Sequence, residues 1–475
     1  MTKTSRYCFI LLLILLGFHL YASDVNRKGQ PNILIVIADD CTHSDLSLYG
    51  GQNVKTPHID QLASQGMTFN NAFVTMSMCV PCRAELYTGL QPVNSGVCWN
   101  HAIARTGTQS IVQYLGELNY RVGIAGKVHA DPREVYPFEM VEGVERNCVS
   151  ETANYDPAGL KEFMARDKEQ PFCLITALVV PHIPWTVGDP SHFNPEELKL
   201  PSYLADNKET RREFAKYLAE IEVLDQQVGE TIALLDELKI SDNTIVIFTS
   251  EQGAQLPFCK WTNWNNGVHT GFIVRWPGKV NSGSRTDALV QYNDVLPTLL
   301  DALGNTSDTD FDGSSFLPVL LGEKETHREY AYFMHNNVPE GPAYPIRSVT
   351  DGNYHYIRNL SPKSLYIERH LMARMPLNQY WPSWVFDASD DPEILDLVTR
   401  YQNRPAEELY NLTADPNEMQ NLIGRDDLGE IKQNLSQKLD EWMKAQGDPG
   451  AEIDSREELK NARQGKHFDP LILQN

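Results

Sequence analysis

The most constraining feature of the sequence is an unbroken apolar run, NILIVIA, at Asn32 to Ala38. Runs of this kind, rich in β-branched residues, are typical of strands buried on both faces of a parallel sheet. Similar runs recur at Arg121 to Ala125, Phe172 to Val180 and Thr244 to Thr249. Between the last two lies Glu209 to Leu238, where apolar residues recur at helical spacing with charges between them. This alternation predicts an open, mostly parallel α/β sheet flanked by helices.

The last part of the chain has a different pattern. Glu329 to Met334 and Tyr354 to Arg358 alternate as half-buried strands do, and Leu428 to Ala445 has the spacing of an amphipathic helix. The 475 residues are enough for a large core and a second, smaller domain. We therefore predict an α/β domain over residues 23–325 and a C-terminal antiparallel α+β domain over residues 326–475.

The N-terminus has the pattern of a secretory signal peptide. Lys3 and Arg6 precede an apolar run from Tyr7 to Leu20, and Ala22 supplies a small residue near a plausible cleavage site. A membrane anchor is the alternative, but the run is shorter than the roughly 20 residues that a membrane-spanning helix needs. We predict that residues 1–22 are removed and that the mature chain is periplasmic or secreted, without a membrane span.

The charge of the chain argues against a nucleic-acid partner. Its 63 acidic residues outnumber 41 lysines and arginines, which gives a formal net charge of -22. Because phosphate contacts require clustered lysine and arginine, we expect no binding to nucleic acid. An anionic substrate would have to be attracted by a few local cations.

Acidic side chains directly follow two of the predicted strands. Asp39 and Asp40 come after the first strand, and Glu251 and Gln252 come shortly after the strand that ends at Thr249. Each pair could be a solvated loop or a helix cap. Because ligands bind at the carboxyl ends of the strands in open α/β sheets, a shared oxygen-ligand site is the better interpretation. Such ligands suit Ca²⁺, with Mg²⁺ as the alternative, better than Zn²⁺.

A cysteine motif follows in Met78 to Gly89, which reads MCVPCRAELYTG. Cys79 and Cys82 form a C-x-P-C unit that also occurs in thioredoxin-like redox proteins, and a structural disulfide is a further alternative. Seven cysteines follow the predicted signal peptide, an odd number that points to one with a special role.

The same stretch resembles the signature of the type I sulfatase family, C-x-P-x-R followed by x-x-L-x-T-G. Six positions match, namely Cys79, Pro81, Arg83, Leu86, Thr88 and Gly89. The openings Asn32 to Asp40 and Thr56 to Phe69, and the later Glu408 to Leu422, are also similar to that family. The resemblance implies an alkaline-phosphatase-like fold. It also implies that a formylglycine-generating maturation enzyme converts Cys79 to formylglycine (3-oxoalanine), the catalytic nucleophile.

The resemblance implies roles for five further residues. Lys127 and His129, in GKVH, match an element whose lysine holds sulfate and whose histidine serves the formylglycine. His182, in PHIP, matches an element whose histidine faces the ester oxygen, and Lys260 matches a second lysine that contacts sulfate. Arg83 is the arginine of the signature and would hold the nucleophile.

The resemblance also implies that Ca²⁺ is held by Asp39, Asp40, Cys79, Glu251 and Gln252. The chain departs from the family here, since the family usually has Asp followed by Asn or His where this chain has Glu251 and Gln252. Each residue keeps the ligating oxygen but adds a methylene, so the backbone must shift to keep Ca–O near the usual 2.3–2.6 Å, by about an ångström.

The sequence says less about the substrate. His101 follows the signature and Trp185 follows His182, and we expect both to contact a sugar ring; Arg347 is a candidate for binding a neighbouring anionic group. The resemblance is to bacterial carbohydrate sulfatases, which implies a sulfated oligo- or polysaccharide. Algal polysaccharides such as ulvan or carrageenan and the glycosaminoglycans are the leading candidates.

Two alternatives remain open at this point besides the redox reading. The first is a phosphonate or phosphodiester hydrolase of the same superfamily, since some of these also use formylglycine. The second is a non-catalytic secreted glycan-binding protein in which Cys79 is never oxidised.

Overall fold

The structure is a computed structural model that describes residues 29–305, 310–373 and 380–468. The predicted signal peptide, residues 1–22, lies outside the described residues. Within the described ranges, no helix combines the length and the apolar character needed to cross a membrane.

Twelve strands in the described residues form two sheets. They are β1 (Asn32–Ala38), β2 (Met67–Phe73), β3 (Arg121–Gly126), β4 (Glu139–Val141), β5 (Phe172–Ala177), β6 (Thr244–Ser250), β7 (His269–Arg275), β8 (Ser284–Gln291), β9 (Ala331–His335), β10 (Ile346–Thr350), β11 (Tyr354–Asn359) and β12 (Glu407–Asn411).

The large sheet has the order β4-β3-β5-β1-β6-β7-β2-β8. The four strands predicted from apolar runs lie side by side in it, as β3, β5, β1 and β6, and all four are parallel. Strand β7 is antiparallel to both of its neighbours, so the sheet is mixed at one side. The predicted mostly parallel α/β architecture is confirmed. Strand β1 is buried on both faces, because Ile33 to Ala38 have no exposed surface.

Fourteen α-helices flank or connect the strands in the described residues. They are α1 (Pro57–Gln65), α2 (Cys79–Thr88), α3 (Pro92–Ser95), α4 (Ile111–Glu117), α5 (Ala158–Ala165), α6 (Lys208–Glu237), α7 (Asn265–Val268), α8 (Val295–Ala302), α9 (Leu317–Leu320), α10 (Arg369–Met372), α11 (Tyr380–Asp387), α12 (Pro392–Gln402), α13 (Gly429–Gln446) and α14 (Arg456–Ala462).

The long helix α6 agrees with its predicted range to within one residue at each end. Its start is fixed by Asn207, whose side chain accepts a hydrogen bond from the Thr210 amide at 2.9 Å.

The small sheet has the order β12-β11-β10-β9 and is antiparallel throughout. Helix α13 covers it: Leu435 and Leu439 are fully buried, and the Trp442 ring stacks on Tyr332 at 5.2 Å. The predicted antiparallel sheet with a packed helix is therefore confirmed. The proposed domain boundary near residue 325 stays a prediction.

Candidate active site

The candidate site lies where four parallel strands end together. Ala38 at the end of β1 is level with Ser250 at the end of β6, and Ile37 is level with Ala177 at the end of β5. The amide of Glu251 donates to the Ala38 carbonyl at 2.8 Å, so the two acidic segments leave the sheet side by side. The fold thus brings together residues that are far apart in the sequence.

Helix α2 delivers Cys79 to this edge. Cys79 is its first residue, and all ten residues of the helix are buried. Thr88 bonds back to the Ala84 carbonyl at 2.7 Å, and Gly89 ends the helix with a φ of 69°. A β-carbon on Gly89 would lie 2.7 Å from the Phe311 ring. Glycine at the end of the signature therefore lets the helix end in a left-handed conformation and pack against that ring.

Four potential metal ligands meet at the start of this helix. One ligand atom from each of Asp39, Asp40, Cys79 and His182 lies within 4.8 Å of the others. The Cys79 Sγ is 4.0 Å from Asp40 Oδ1, and both aspartates are fully buried. Buried carboxylates at such close range require compensating positive charge.

Gln252 completes the cluster, and one of its polar atoms has no partner there. Its Nε2 donates to Asp40 Oδ1 at 2.6 Å and lies 3.5 Å from the Cys79 Sγ. Its Oε1 is buried and has no hydrogen-bond partner among the described residues. A hard cation would provide that partner, and carboxylate and amide oxygens are its preferred ligands. The residues present therefore fit a Ca²⁺ or Mg²⁺ ion.

Two lysines neutralise the aspartates. Lys127 Nζ donates to Asp39 Oδ1 at 2.9 Å and to Oδ2 at 2.7 Å, and Lys260 Nζ donates to Asp40 Oδ2 at 2.7 Å. Burial lowers the pKa of each ammonium, but the adjacent aspartate raises it well above its usual value, so both lysines stay charged.

The cysteine thiol is held in an unusually cationic environment. Burial raises the pKa of Cys79, but Lys127 and Lys260, with further help from His129 and His182, bring it well below its usual value. A group at this position is therefore surrounded by charges that favour an anion.

The two predicted catalytic histidines approach the position of Cys79 differently. His182 Nδ1 bonds to the Ile183 carbonyl at 2.5 Å, which leaves Nε2 at 3.4 Å from Asp40 Oδ2. His129 has a left-handed φ of 45° and a buried Nδ1 without a hydrogen-bond partner among the described residues. Burial lowers the pKa of His129, so its imidazole is neutral and able to accept a proton.

The hydrogen bonds of Arg83 go to residues other than Cys79, and its expected role of holding the nucleophile stays a prediction. Its Nε and Nη2 donate to the two oxygens of Glu251 at 2.8 and 3.3 Å, and its Nη1 donates to the Lys127 carbonyl at 2.6 Å. Arg83 therefore positions Glu251 and the backbone of Lys127. Glu251 uses both carboxylate oxygens on this arginine, and its place among the metal ligands stays a prediction.

Two of the three residues expected to contact substrate belong to the interior. Trp185 is 5% exposed, donates from Nε1 to the Pro181 carbonyl at 2.9 Å and packs against the Tyr217 and Tyr380 rings. Arg347 is fully buried because β10 points it inward, where Asp448 accepts from Nε at 2.5 Å and from Nη2 at 3.0 Å. The expectation that Arg347 binds an anionic group of the substrate is corrected, and the expectation that Trp185 contacts a sugar ring stays a prediction.

His101 lies at the mouth of the site. Its side chain is exposed, and its ring centre is 5.3 Å from that of His129. The sequence did not single out two other polar residues nearby, His370 and Glu340. Neither belongs to a recognisable motif, and both reach the site only through tertiary packing of the C-terminal part.

The cysteines do not form the arrangement of a redox protein. Within the described residues all seven cysteines are free, and Cys82 donates from Sγ to the Glu251 carbonyl at 3.2 Å. Burial raises the pKa of Cys82 well above its usual value, which opposes the formation of a reactive thiolate.

Comparison with known proteins gives a consistent result. The family model described as "Sulfatase" matches residues 31–305, and the model "N-sulphoglucosamine sulphohydrolase, C-terminal" matches residues 254–366. The chain is 32% identical over 426 residues to an ulvan-active sulfatase of Formosa agariphila, covering 88% of this chain and 81% of that protein. It is 26% identical over 501 residues to human N-sulphoglucosamine sulphohydrolase, covering 93% and 94%.

A solved structure of a protein in complex with its substrate D-glucosamine-2-N,6-O-disulfate shares the fold. The TM-score is 0.67 at 19% sequence identity, and the match covers 90% of this chain and 100% of that chain.

Proposed function

The chain belongs to the sulfatase family and is a sulfatase, and from this premise we propose that it removes sulfate esters from a carbohydrate at the site around Cys79. One observation carries the proposal: the signature cysteine begins a buried helix within 4.8 Å of ligand atoms from Asp39, Asp40 and His182. This arrangement offers a nucleophile position, a cation site and a proton donor in one place.

The charge balance of the site favours an anionic substrate. Three cationic side chains, Arg83, Lys127 and Lys260, face three carboxylates, Asp39, Asp40 and Glu251. A divalent cation would add two positive charges to this set. The site would then attract a sulfate ester even though the whole chain carries a formal charge of -22.

A formylglycine made from Cys79 would supply a hydrated aldehyde, in which one hydroxyl attacks sulfur and the other allows sulfate to leave as the aldehyde re-forms. A Ca²⁺ ion held by Asp39, Asp40 and Gln252 would lower the energy of negative charge on the reacting oxygens. The remaining steps fall to side chains that the structure describes.

Lys127 and Lys260 are placed to hold the sulfate group. Their ammonium groups lie on the two aspartates that border the Cys79 position, so each can also donate to a non-bridging sulfate oxygen. Charge on those oxygens increases in the transition state, and loss of one such donor typically costs about 10²–10³ in rate.

His182 and His129 are placed to move protons. His182 is a proton donor for the departing alcohol oxygen, because Asp40, against the opposing effect of burial, raises its pKa well above the usual value. His129 is the base for the group at position 79, since it is neutral and in hydrogen-bonding contact with the Cys79 side chain. Both roles agree with those implied by the family resemblance.

Sulfated polysaccharide is the proposed substrate class. The relatives include an ulvan-active sulfatase and N-sulphoglucosamine sulphohydrolase, and the fold match includes a protein bound to a sulfated glucosamine. Ulvan, carrageenan and the glycosaminoglycans are therefore the compounds to test. The signal-like N-terminus supports an exported enzyme that meets such polymers outside the cytoplasm, after a maturation enzyme has acted on Cys79.

The test is a side-by-side assay of the full chain, co-expressed with a formylglycine-generating enzyme. We expect release of sulfate from one or more defined sulfated oligosaccharides and from 4-methylumbelliferyl sulfate. Cys79→Ala is the matched control and should show none. Higher kcat/KM on the matched phosphate monoester, phosphodiester or phosphonate ester would favour the superfamily alternative, and binding of glycan without turnover would favour a non-catalytic lectin.

A further inference from the structure

One line of contacts runs outward from the position of Cys79 through two histidines. His129 contacts the Cys79 side chain, and the His101 ring lies 5.3 Å from the His129 ring. The chain after α14 packs over the loop that follows His101, since a β-carbon on Gly465 would lie 3.5 Å from Ile103. Burial and the charges of His129 and Arg463 lower the pKa of His101, and Arg463 lies two residues before Gly465 in this segment.

A second line runs outward from the other lysine. The ammonium of Lys260 is 4.7 Å from the centre of the Trp261 ring, and the His370 ring stacks on Trp261 at 5.4 Å with an angle of 18°. Arg369 directly precedes His370 at the start of α10. Burial, together with the charges of Lys260 and Arg369, lowers the pKa of His370 to about 4.

The two lines meet at Glu340. The Arg369 amide donates to the Glu340 carbonyl at 2.8 Å, and the charges of both Arg369 and Arg463 act on the Glu340 carboxyl. This carboxyl is 1% exposed, and its Oε2 has no hydrogen-bond partner among the described residues. Asn100 contacts it as well, and the Oδ1 of Asn100 lies 3.4 Å from the amide of Val80, next to Cys79. An unpartnered buried oxygen of this kind indicates a missing donor.

The guanidinium groups of Arg369 and Arg463 have no carboxylate partner among the described residues. Both are exposed, and no carboxylate in the described part of the chain lies within 4.0 Å of either guanidinium. Among the other exposed arginines, Arg166 and Arg425 have carboxylate partners at 2.5 and 2.7 Å, whereas Arg133 and Arg456 have none within 4.0 Å in the described part of the chain. In a chain with 63 acidic and 41 basic residues, two exposed guanidiniums that both act on Glu340 but form no close ion pair in the described residues are available to bind an external anion.

We propose that Arg369 and Arg463 bind a second anionic group of the substrate, a carboxylate or a further sulfate, while Glu340 and Asn100 bind a hydroxyl of the attached sugar. The sugar bearing the cleaved ester would lie between His101 and His370, where the two lines of contacts enclose the mouth. The preferred substrate is therefore a sulfated sugar with a second negative charge on the same residue or its neighbour. This inference rests on the proposed function, because it takes the Cys79 position as the point of cleavage.

The kinetic test compares Arg369→Gln, Arg463→Gln and the double variant with the wild type. Arg456→Gln, at the start of α14, is the matched control that removes another exposed arginine charge, seven residues before Arg463. The substrates are 4-methylumbelliferyl sulfate, a monosulfated sugar, the same sugar linked to a uronate, and the same sugar with a second sulfate. The uronate and the disulfate distinguish the two sources of the second anion.

We expect the double variant to raise KM about 10–100-fold on the substrate with the second anion, the range for losing charged hydrogen bonds. The same variant should lose at most a few-fold on the two substrates without it. Added salt should weaken the wild type more than the double variant on the doubly charged substrate. Glu340→Leu should raise KM on every sugar but not on the aryl sulfate.

An equal loss on all four substrates, or no loss on any, would overturn the inference while leaving the sulfatase activity intact. Binding gives a readout that does not depend on turnover. Calorimetry of the doubly charged oligosaccharide with Cys79→Ala, with and without the two arginines, should show the same difference in affinity. Equal affinity of the two proteins would overturn the inference even if the wild type released no sulfate from any probe.

Discussion

Arg83 and Glu251 form a two-point ion pair, with Nε–Oε1 at 2.8 Å and Nη2–Oε2 at 3.3 Å, in a fully buried setting. Arg83 lies one turn after Cys79 on α2, and Glu251 directly follows β6. The pair therefore fixes the helix that carries the nucleophile to the strand edge that carries the acidic ligands. Both carboxylate oxygens of Glu251 accept from this arginine.

Breaking that pair should cost stability as well as activity. We expect Arg83→Met to lower the free energy of unfolding by about 3–5 kcal/mol, the usual cost of leaving one buried charge unpaired. Arg83→Lys keeps the charge but loses the two-point geometry of the guanidinium. Its free energy of unfolding should therefore lie between those of Arg83→Met and the wild type. Denaturant unfolding and kcat of the three proteins provide the measurement. Unchanged stability in Arg83→Met would contradict the positioning role.

The cation site should be detectable without an assay of activity. Because a metal that binds only the folded state stabilises it, Ca²⁺ at about 100 times its Kd should add about 2.7 kcal/mol. We expect chelation to lower Tm and to abolish sulfate release, and added Ca²⁺ to restore both. Gln252→Ala, which removes the unpartnered buried Oε1, should weaken Ca²⁺ binding by at least about tenfold. Equal Tm with and without the ion would exclude a bound cation at this site.

The pH dependence of stability has one contribution that can be isolated. Glu220, on α6, accepts through Oε1 from the amides of Thr186 and Val187 at 2.8 and 3.2 Å, close behind His182. Burial raises the pKa of this carboxyl to about 8 from a usual value near 4.5, although the two amides and His182 oppose the shift.

The folded state therefore holds more protons on Glu220 than the unfolded state between pH 4.5 and 8. The contribution of Glu220 to the free energy of unfolding is fully present below pH 4.5. It falls as the pH rises towards 8, by up to about 1.4 kcal/mol per pH unit. Glu220→Gln keeps the accepting Oε1 but has no carboxyl to titrate. The difference in free energy of unfolding between the variant and the wild type should therefore shift in favour of the variant as the pH rises from 4.5 to 8. Parallel stability curves for the two proteins would show that Glu220 titrates normally.

The structure changes what is expected of Arg347. Because its guanidinium is buried against Asp448, we expect Arg347→Met to lower the free energy of unfolding by about 3–5 kcal/mol. KM for a sulfated oligosaccharide should not change in the protein that remains folded. A selective rise in KM without loss of stability would restore the original interpretation, in which this arginine binds substrate.

The sequence was most informative where local patterns decide the structure. The apolar runs predicted β1, β3, β5 and β6, and their parallel order explains why Asp39 and Glu251 meet at one edge. The run that begins at Phe172 was predicted too long: β5 ends at Ala177, and the Val180 carbonyl instead accepts from the amide of Asp39. Residues that follow the end of a strand are positioned by such loop contacts. These contacts leave no periodic pattern in the sequence from which they could be predicted.

The contacts of individual polar side chains were beyond the sequence. Whether Arg347 faces a substrate or Asp448 depends on where the end of α13 packs, which is a tertiary contact between residues 101 positions apart. Glu340, Arg369 and Arg463 belong to no motif and are brought to the mouth by the C-terminal part. The burial of Glu340 and its unpartnered oxygen, which only the structure shows, are the features that link the three residues.

The most direct test of the account is the mass of the peptide that contains Cys79, measured on the active, mature enzyme. We expect it to be lower than that of the thiol form by the difference between a CH₂–SH and a CHO group, and the converted fraction should rise in proportion to kcat across preparations. Sulfate release at full rate from protein whose Cys79 is still entirely a thiol would contradict the central claim.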